Sequence, residues 1–311
     1  MSSPKNAPLQ TKGLRLIQRL LLWRYGIPPD SVLNSSLGPE RATSGLPLAA
    51  DLYRLAKLMK AEAYDPVHRR VNYAHLKTSS SYAEYRQCTV QLQTFDPAIL
   101  TGREAQLAFW INLYNALIID AVIQFEVKDS VTDVPGFFWR AAYTIGGRRY
   151  CAFDIEYGIL RANAPHPLIP GPHFGPRDPR RAYSLAYLDP RIHFALVCAA
   201  RSCPPIAVYE ANPIDAQLDM ATQAFINGGG VRVEYVKGEV WLSQIFQWYA
   251  PDFGGWPLGL GDKRPLLKFV ARYLSDATDR EAILQKKFSI RFQPYDWTLN
   301  HQVTAVGTEN W

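Results

Sequence analysis

The order of apolar and polar positions predicts helices in the first part of the chain. Apolar residues recur at helical spacing in "LRLIQRLLLWRYG" (14 to 26), at 48 to 62 and at 82 to 94. Residues 28 to 47 are rich in Pro, Gly and Ser, which is typical of a linker. The segment 102 to 126 is apolar nearly all round. This pattern predicts a central helix that is buried on all sides.

Beyond the central helix, the pattern changes to shorter segments. Two hairpins are predicted, with turns at Gly146-Gly147 and about Lys237-Gly238. Residues 191 to 198 form an apolar run rich in β-formers and predict an interior strand, whereas six prolines between 162 and 182 predict an irregular loop. Helices followed by strands mixed with helices predict an α+β fold. We expect the central helix to pack on a mainly antiparallel sheet that contains residues 191 to 198.

Length and composition indicate a globular protein. A chain of 311 residues that is 48% hydrophobic can bury a large core. We expect an N-terminal helical extension over residues 1–65 and one main α+β domain over residues 66–311. Polar residues interrupt the longest apolar run, so no membrane span is expected. The first residues lack an apolar signal segment, and four cysteines are too few for a disulfide scaffold. These features predict a cytoplasmic protein with free thiols.

The charge pattern argues against nucleic acid as a partner. The net charge is +6, but the basic residues are spread along the chain. One local concentration of arginines predicts either solvated loop charge or a clamp for a carboxylate or phosphate. The His and Cys residues show no zinc-binding spacing, so neither a metal nor a cofactor is predicted. The arginines of this concentration are Arg177, Arg180, Arg181, Arg191 and Arg201.

Candidate chemistry is concentrated in "RIHFALVCAARSCPP", residues 191 to 205. A cysteine nucleophile needs a base within about 3 Å. On a straight strand His193 and Cys198 would lie about 16 Å apart, so they cannot form a dyad. His193 could meet Cys203 if "CAARS" folds the chain back, which its small residues and Pro204-Pro205 allow. The alternative is that Cys198 is a small buried residue and His193 a hydrogen-bonded core group.

Three further side chains belong to the predicted site. Glu156 is the first choice of a carboxylate that would orient His193, although it could instead be an acid that favours the first turn of its helix. Asn112 and Asn115 share one face of the central helix, and their buried amides must bond either to backbone or to a ligand. The predicted substrate-binding residues are Asn112, Asn115, Arg191, Arg201 and Ser202.

Five strings resemble, in order, the blocks of the family called domain of unknown function 547. They are "REAQLAFWINLYNALIIDAV", "FDIEYGILR", "DPRIHFALVCAARSCPPI", "VWLSQIFQWYAPDF" and "FQPYDWTLN", and they span about residues 70 to 300. The family has no established activity. Related domains follow a leucine zipper in plant proteins or are joined to DEP and glutaredoxin modules, which implies adaptor work or thiol chemistry. Plant members resemble the chain at Cys198 and Ser202 but tend to have serine at position 203, whereas bacterial members also resemble it at Cys203.

Two functions therefore remain open. The first is a cysteine-dependent hydrolase or transferase for a small anionic or peptide-like substrate, with Cys203, His193 and Glu156 as catalytic residues. Its outline would be similar to that of papain or transglutaminase, which place a central helix beside a sheet that carries the histidine. The second is a non-catalytic domain that binds a protein partner or a small ligand. A Cys203 sulfur that is exposed beside the His193 ring would favour the first.

Overall fold

The computed structural model of the protein describes residues 20, 23–24, 26, 28, 30–35, 45–166, 171–255, 261–285 and 288–302. Most of the helix predicted over residues 14 to 26 lies outside this part of the chain, as does much of the predicted linker.

The described residues form nine α-helices and seven strands, with shorter helical turns between them. The α-helices are α1 Leu46–Ala63, α2 Tyr73–Lys77, α3 Ser80–Val90, α4 Arg103–Gln124, α5 Phe137–Arg140, α6 Ile214–Phe225, α7 Gln244–Trp248, α8 Arg264–Tyr273 and α9 Ala277–Gln285. The strands are β1 Tyr64–Asp65, β2 Arg70–Val71, β3 Ala142–Ile145, β4 Arg148–Cys151, β5 Val231–Glu234, β6 Glu239–Ser243 and β7 Ser289–Gln293. A π-helical segment runs over Asp154–Leu160, and 3-10 turns run over Pro190–Phe194 and Ala250–Phe253.

The central helix is confirmed as α4. It begins after Gly102, whose φ of 85° is a backbone conformation that glycine adopts readily. Its residues are buried almost continuously from Leu107 to Ile123. It packs on α1, α2, α6 and the π-helical segment. By length and composition alone α4 could cross a membrane, but most of it is enclosed by the protein.

The interior strand predicted over residues 191 to 198 is wrong. Pro190–Phe194 is a 3-10 turn, and the residues after it continue without regular structure. The side chain of Asp189 accepts a hydrogen bond from the backbone N–H of Arg191, and Pro190 occupies the first helical position. Both features favour the start of a helix and outweigh the β-propensity of the apolar run. The prediction that this segment is buried is nevertheless correct.

The sheets are small, and the fold class is α+β, with about 53% of the residues helical. Strands β3 and β4 form the first predicted hairpin, with positive φ at both Gly146 and Gly147. Strands β5 and β6 form the second, and β7 joins β6 in parallel. A papain-like or transglutaminase-like outline stays a prediction.

Two hydrophobic cores meet at the motif that the sequence singled out. The larger core surrounds α4 and includes Leu48 and Leu52 of α1, so this part of the predicted extension packs with the central helix. The division at residue 65 stays a prediction. The smaller core contains β6, α7 and α8. Val197 belongs to the larger core and Phe194 to the smaller one, so residues 191 to 198 lie between the two.

Candidate functional site

The loop from Cys198 to Cys203 is held by a segment near the end of the described chain. Arg201 donates its backbone N–H to Thr298 O at 2.9 Å, and Ala199 O accepts from Asn300 N at 2.9 Å. Ala199 has a φ of 63°, which turns the chain back on itself as the small residues of "CAARS" predicted. The loop therefore has a fixed shape that brings its two ends together.

The turn joins the two cysteines to each other. The Sγ atoms of Cys198 and Cys203 form a disulfide, with the Cα atoms 6.2 Å apart. The expectation that all four cysteines are free thiols is wrong for this pair. The backbone N–H of Cys198 donates to Cys203 Sγ at 2.9 Å. The Tyr295 hydroxyl lies 3.1 Å from Cys198 Sγ and 3.3 Å from Cys203 Sγ. Burial raises the pKa of Tyr295, so its hydroxyl stays protonated and can donate to either sulfur.

The two cysteines differ in exposure. Cys203 is 5% exposed, whereas Cys198 is half-buried. Cys203 nevertheless lines a small cleft of about 160 Å³ together with Tyr295. Cys203 is therefore not the exposed sulfur beside His193 that would favour the cysteine-dependent enzyme. The other described residues of this cleft are Arg69, Arg201, Ser202, Phe225, Gly228, Gly229, Gly230, Ser243, Gln293 and Pro294.

His193 is paired with a carboxylate from another segment, but the predicted partner is wrong. Its Nε2 lies 2.7 Å from Asp252 Oδ2, and its ring stacks on that of Tyr249 with the centroids 3.8 Å apart. Glu156 instead accepts hydrogen bonds from the hydroxyl of Tyr249 at 2.5 Å and from that of Tyr114 at 3.2 Å. Asp252 follows α7 in the block "QWYAPDF", and only its place in that block could have drawn attention to it.

Asp252 is also the partner of a buried arginine. Arg161 donates from Nε at 2.6 Å and from Nη2 at 2.8 Å. Burial raises the pKa of Asp252, but the hydrogen bonds from His193 and Arg161 outweigh it and lower the pKa to about 2. This aspartate is thus ionised near neutral pH. His193 forms no hydrogen bond to either cysteine of the pair, so the predicted dyad with Cys203 is not assembled among the described residues.

A tyrosine lies beside each part of the site. Tyr249 lies between Glu156 and the His193 ring. The charge of Glu156 also raises the pKa of Tyr295, in addition to the larger effect of burial. Tyrosines thus lie beside both the histidine and the cysteine pair, but no hydrogen bond among the described residues links Glu156 to Tyr295.

Comparison with known proteins identifies part of the chain. Residues 97–226 match the model of a family described as protein of unknown function, DUF547. This part of the chain is a DUF547 domain. No curated protein and no solved structure gave a match. The matched residues of the DUF547 domain include Glu156, His193 and both cysteines of the pair, whereas Asp252 and Tyr295 follow the match.

The two asparagines of α4 bond to backbone within the DUF547 domain. The Asn115 amide donates to Ala195 O at 2.9 Å and accepts from Val197 N at 3.0 Å. Asn112 makes the same pair of bonds to the N–H and carbonyl of Tyr209. Both side chains thus hold the segments that flank the cysteine loop. Their predicted role in substrate binding stays a prediction.

The predicted arginine clamp is dispersed. Arg180 pairs with Asp154 and Asp178, and Arg191 pairs with Asp189, Asp215 and Asp219 on the other side of its turn. Arg201 is exposed and lines the cleft at Cys203. The hydroxyl of the neighbouring Ser202 accepts from Asp296 N at 2.8 Å. Arg69 also lines this cleft, although it lies far from Cys203 in the sequence and no local pattern predicted it.

The other two cysteines differ from the pair. Cys88 and Cys151 are free and buried. Burial raises the pKa of both thiols, that of Cys88 to about 12. They should therefore react slowly in the folded protein. Among the described residues, no group of three or more His, Cys, Asp and Glu side chains is suited to hold a metal ion.

Proposed function

We propose that the DUF547 domain carries out thiol–disulfide exchange through Cys198 and Cys203. The observation that carries this proposal is the direct contact of the two sulfurs beside two hydrogen-bond donors, the Cys198 N–H and the Tyr295 hydroxyl. Donors at sulfur stabilise a thiolate, which makes it a better leaving group. A purely structural crosslink would not need them.

The reaction begins when an external thiolate attacks Cys198 Sγ, because Cys198 is the more exposed of the two residues. A sulfur–sulfur bond forms between the thiol and Cys198, and the bond between Cys198 and Cys203 breaks. The electron pair of the broken bond stays on Cys203, where the N–H and the Tyr295 hydroxyl can stabilise it. A second thiolate then attacks the mixed disulfide and releases the oxidised substrate. Two thiols become one disulfide while the protein pair becomes a dithiol.

The hydrolase or transferase predicted from the sequence has weaker support. Acyl-transfer chemistry needs a base at the cysteine, and His193 is hydrogen-bonded to Asp252 instead. The second candidate is a non-catalytic domain in which the disulfide only fastens the loop. The small anionic or peptide-like substrate of the first hypothesis stays a prediction.

The test is to measure exchange on the purified full chain. The oxidised protein is mixed with excess dithiothreitol, and thiols are trapped with iodoacetamide at successive times and located by peptide mass spectrometry. We expect Cys198 and Cys203 to become labelled together and rapidly, while Cys88 and Cys151 stay unlabelled until the protein is unfolded. Reduction of the pair only under denaturing conditions would overturn the proposal and favour the structural crosslink.

Single substitutions assign the roles of the two cysteines in the exchange reaction. Cys203→Ser retains Cys198 and should form a stable mixed disulfide with an added aromatic disulfide. Cys198→Ser retains the more buried Cys203 and should react more slowly. A faster reaction in Cys198→Ser would reverse the roles. The matched control is Cys88→Ser, which should leave the exchange rate of the pair unchanged.

A further inference from the structure

The cleft at Cys203 has a strongly positive lining. Arg69 and Arg201 line it from distant parts of the sequence, and no Asp or Glu occurs among the described residues of the lining. Neither arginine forms a salt bridge among the described residues, although the charge of Arg201 helps to lower the pKa of the nearby Asp296. By contrast, Arg161 and Arg191 are each paired with carboxylates. Two arginines without a salt bridge therefore lie beside Cys203 in this cleft.

Glycines make room for one of the two guanidinium groups. A Cβ atom added at Gly228 would lie 2.6 Å from Nη2 of Arg69, so the Arg69 side chain rests directly on the glycine backbone. At Gly229, with a φ of 106°, an added Cβ would meet nothing within 4 Å. Gly228 and Gly229 therefore add no side chain of their own to the lining, which leaves room for a small ligand group beside Arg69.

We propose that this cleft binds the carboxylate of a small anionic thiol or disulfide while its sulfur reacts with the cysteine pair. The proposal rests on the proposed function. A guanidinium fork matches a carboxylate in geometry and charge and can donate two parallel hydrogen bonds. The volume of about 160 Å³ suits a small carboxylate-bearing group and is well below the usual size of a cleft for a drug-sized molecule. The positive charge also favours the thiolate form of the reduced pair.

Two disulfide probes, one dianionic and one neutral, test whether the cleft selects a carboxylate. The dianionic probe is 5,5′-dithiobis(2-nitrobenzoate), and the neutral one is 2,2′-dithiodipyridine. For each, the initial rate with the reduced protein is measured by absorbance. We expect Arg69→Gln and Arg201→Gln each to lower the rate with the dianion about tenfold and to leave the rate with the neutral probe unchanged. Added salt should slow only the reaction of the dianion. Arg177→Gln, an exposed arginine outside the cleft, is the matched control of charge.

A second measurement separates this proposal from the proposed function. Calorimetric titration of the oxidised protein with S-methylglutathione, an unreactive anionic thioether, reports binding without exchange. Weaker binding to Arg69→Gln and Arg201→Gln than to Arg177→Gln would support the cleft even if the pair never exchanged. If both probes react equally well with all variants, or if S-methylglutathione binds all of them alike, the carboxylate site is overturned while exchange chemistry stands.

Discussion

Two buried aspartates in this protein are each held between a histidine and an arginine, but their surroundings differ. The His193 cluster consists of His193, Asp252 and Arg161. The His173 cluster consists of His173, Asp154 and Arg180, with His173 Nε2 2.8 Å from Asp154 Oδ1 and Arg180 Nη1 3.0 Å from Asp154 Oδ2. The two clusters lie at opposite ends of the same helical segment, since Asp154 begins it and Arg161 follows it.

The His173 cluster ties loops to the first hairpin. Asp154 also accepts from the backbone N–H of Cys151 at 3.0 Å. Arg180 donates to the backbone O of Arg149 at 2.7 Å and pairs with Asp178 as well. Burial raises the pKa of Asp154, but Arg180 and His173 outweigh it and hold the pKa well below its usual range. Every charge is satisfied locally, so this cluster fastens the proline-rich loop.

The comparison shows that a buried His–Asp pair is not by itself a sign of catalysis. Perturbed pKa values occur at structural ion pairs as well as at active sites. What distinguishes the His193 cluster is its neighbourhood, because Tyr249 stacks on the His193 ring and donates to Glu156, whose charge also raises the pKa of Tyr295. The difference between the two clusters can be measured.

The largest effect is expected for Asp252→Asn. The substitution keeps the size of the side chain but removes the charge that compensates Arg161, whose side chain is only 3% exposed. We expect the free energy of unfolding to fall by about 3–5 kcal/mol in urea denaturation. The matched control is Asp262→Asn, since Asp262 pairs with Arg264 at the surface and its loss should change the stability little. A cost as small as that of the control would contradict the role assigned to Asp252.

A smaller loss is expected for Asp154→Asn in the His173 cluster. Arg180 retains Asp178 at 2.9 Å and the carbonyl of Arg149, so its charge stays partly compensated. We expect a loss of about 1.5–3 kcal/mol by the same measurement. If Asp154→Asn is more destabilising than Asp252→Asn, the ranking of the two clusters is wrong.

Acid should weaken the His193 cluster over a defined pH range. The pKa of Asp252 is about 2 in the folded protein, below the unfolded value of about 3.9. A lowered folded pKa contributes stability that is present above the unfolded pKa and is lost as the pH falls through the folded one. We expect about 2 kcal/mol to be lost between about pH 5 and pH 2. Urea denaturation across this range should give a shallower decline for Asp252→Asn than for the unmodified protein, and equal declines would contradict the assignment.

The elements that the sequence predicted well are those in which the spacing of apolar residues reflects which side chains are buried. The helix α4 and both hairpins follow from the spacing of apolar residues and glycines within one segment. The prediction of a strand at residues 191 to 198 was wrong because Asp189 and Pro190 start a helical turn there. Apolar content predicted that the segment is buried, but it could not distinguish a strand from a short turn.

The site was predicted only in part, since its contacts join distant segments. The turn in "CAARS" was foreseen, but it brings Cys203 to Cys198 and not to His193. Asp252 lies 59 residues from its histidine. Arg69 reaches the cleft from a still more distant segment. Such pairings depend on how the chain packs, and no local pattern encodes them.

The smallest effect is expected at the sulfurs, where the charge of Glu156, beside the His193 cluster, should matter and a charge in the His173 cluster should not. Glu156 places a negative charge near Tyr295, and that charge disfavours a thiolate on the pair. Glu156→Gln keeps an oxygen that can accept from Tyr249 but removes the charge, so the pKa of the reduced pair should fall. We expect iodoacetamide to label the reduced pair about threefold faster below its pKa. Asp154→Asn, which removes a charge from the His173 cluster, should leave this rate unchanged. Rates measured by mass spectrometry that rise equally in both variants, or in neither, would contradict the specific effect of the Glu156 charge on the cysteine pair.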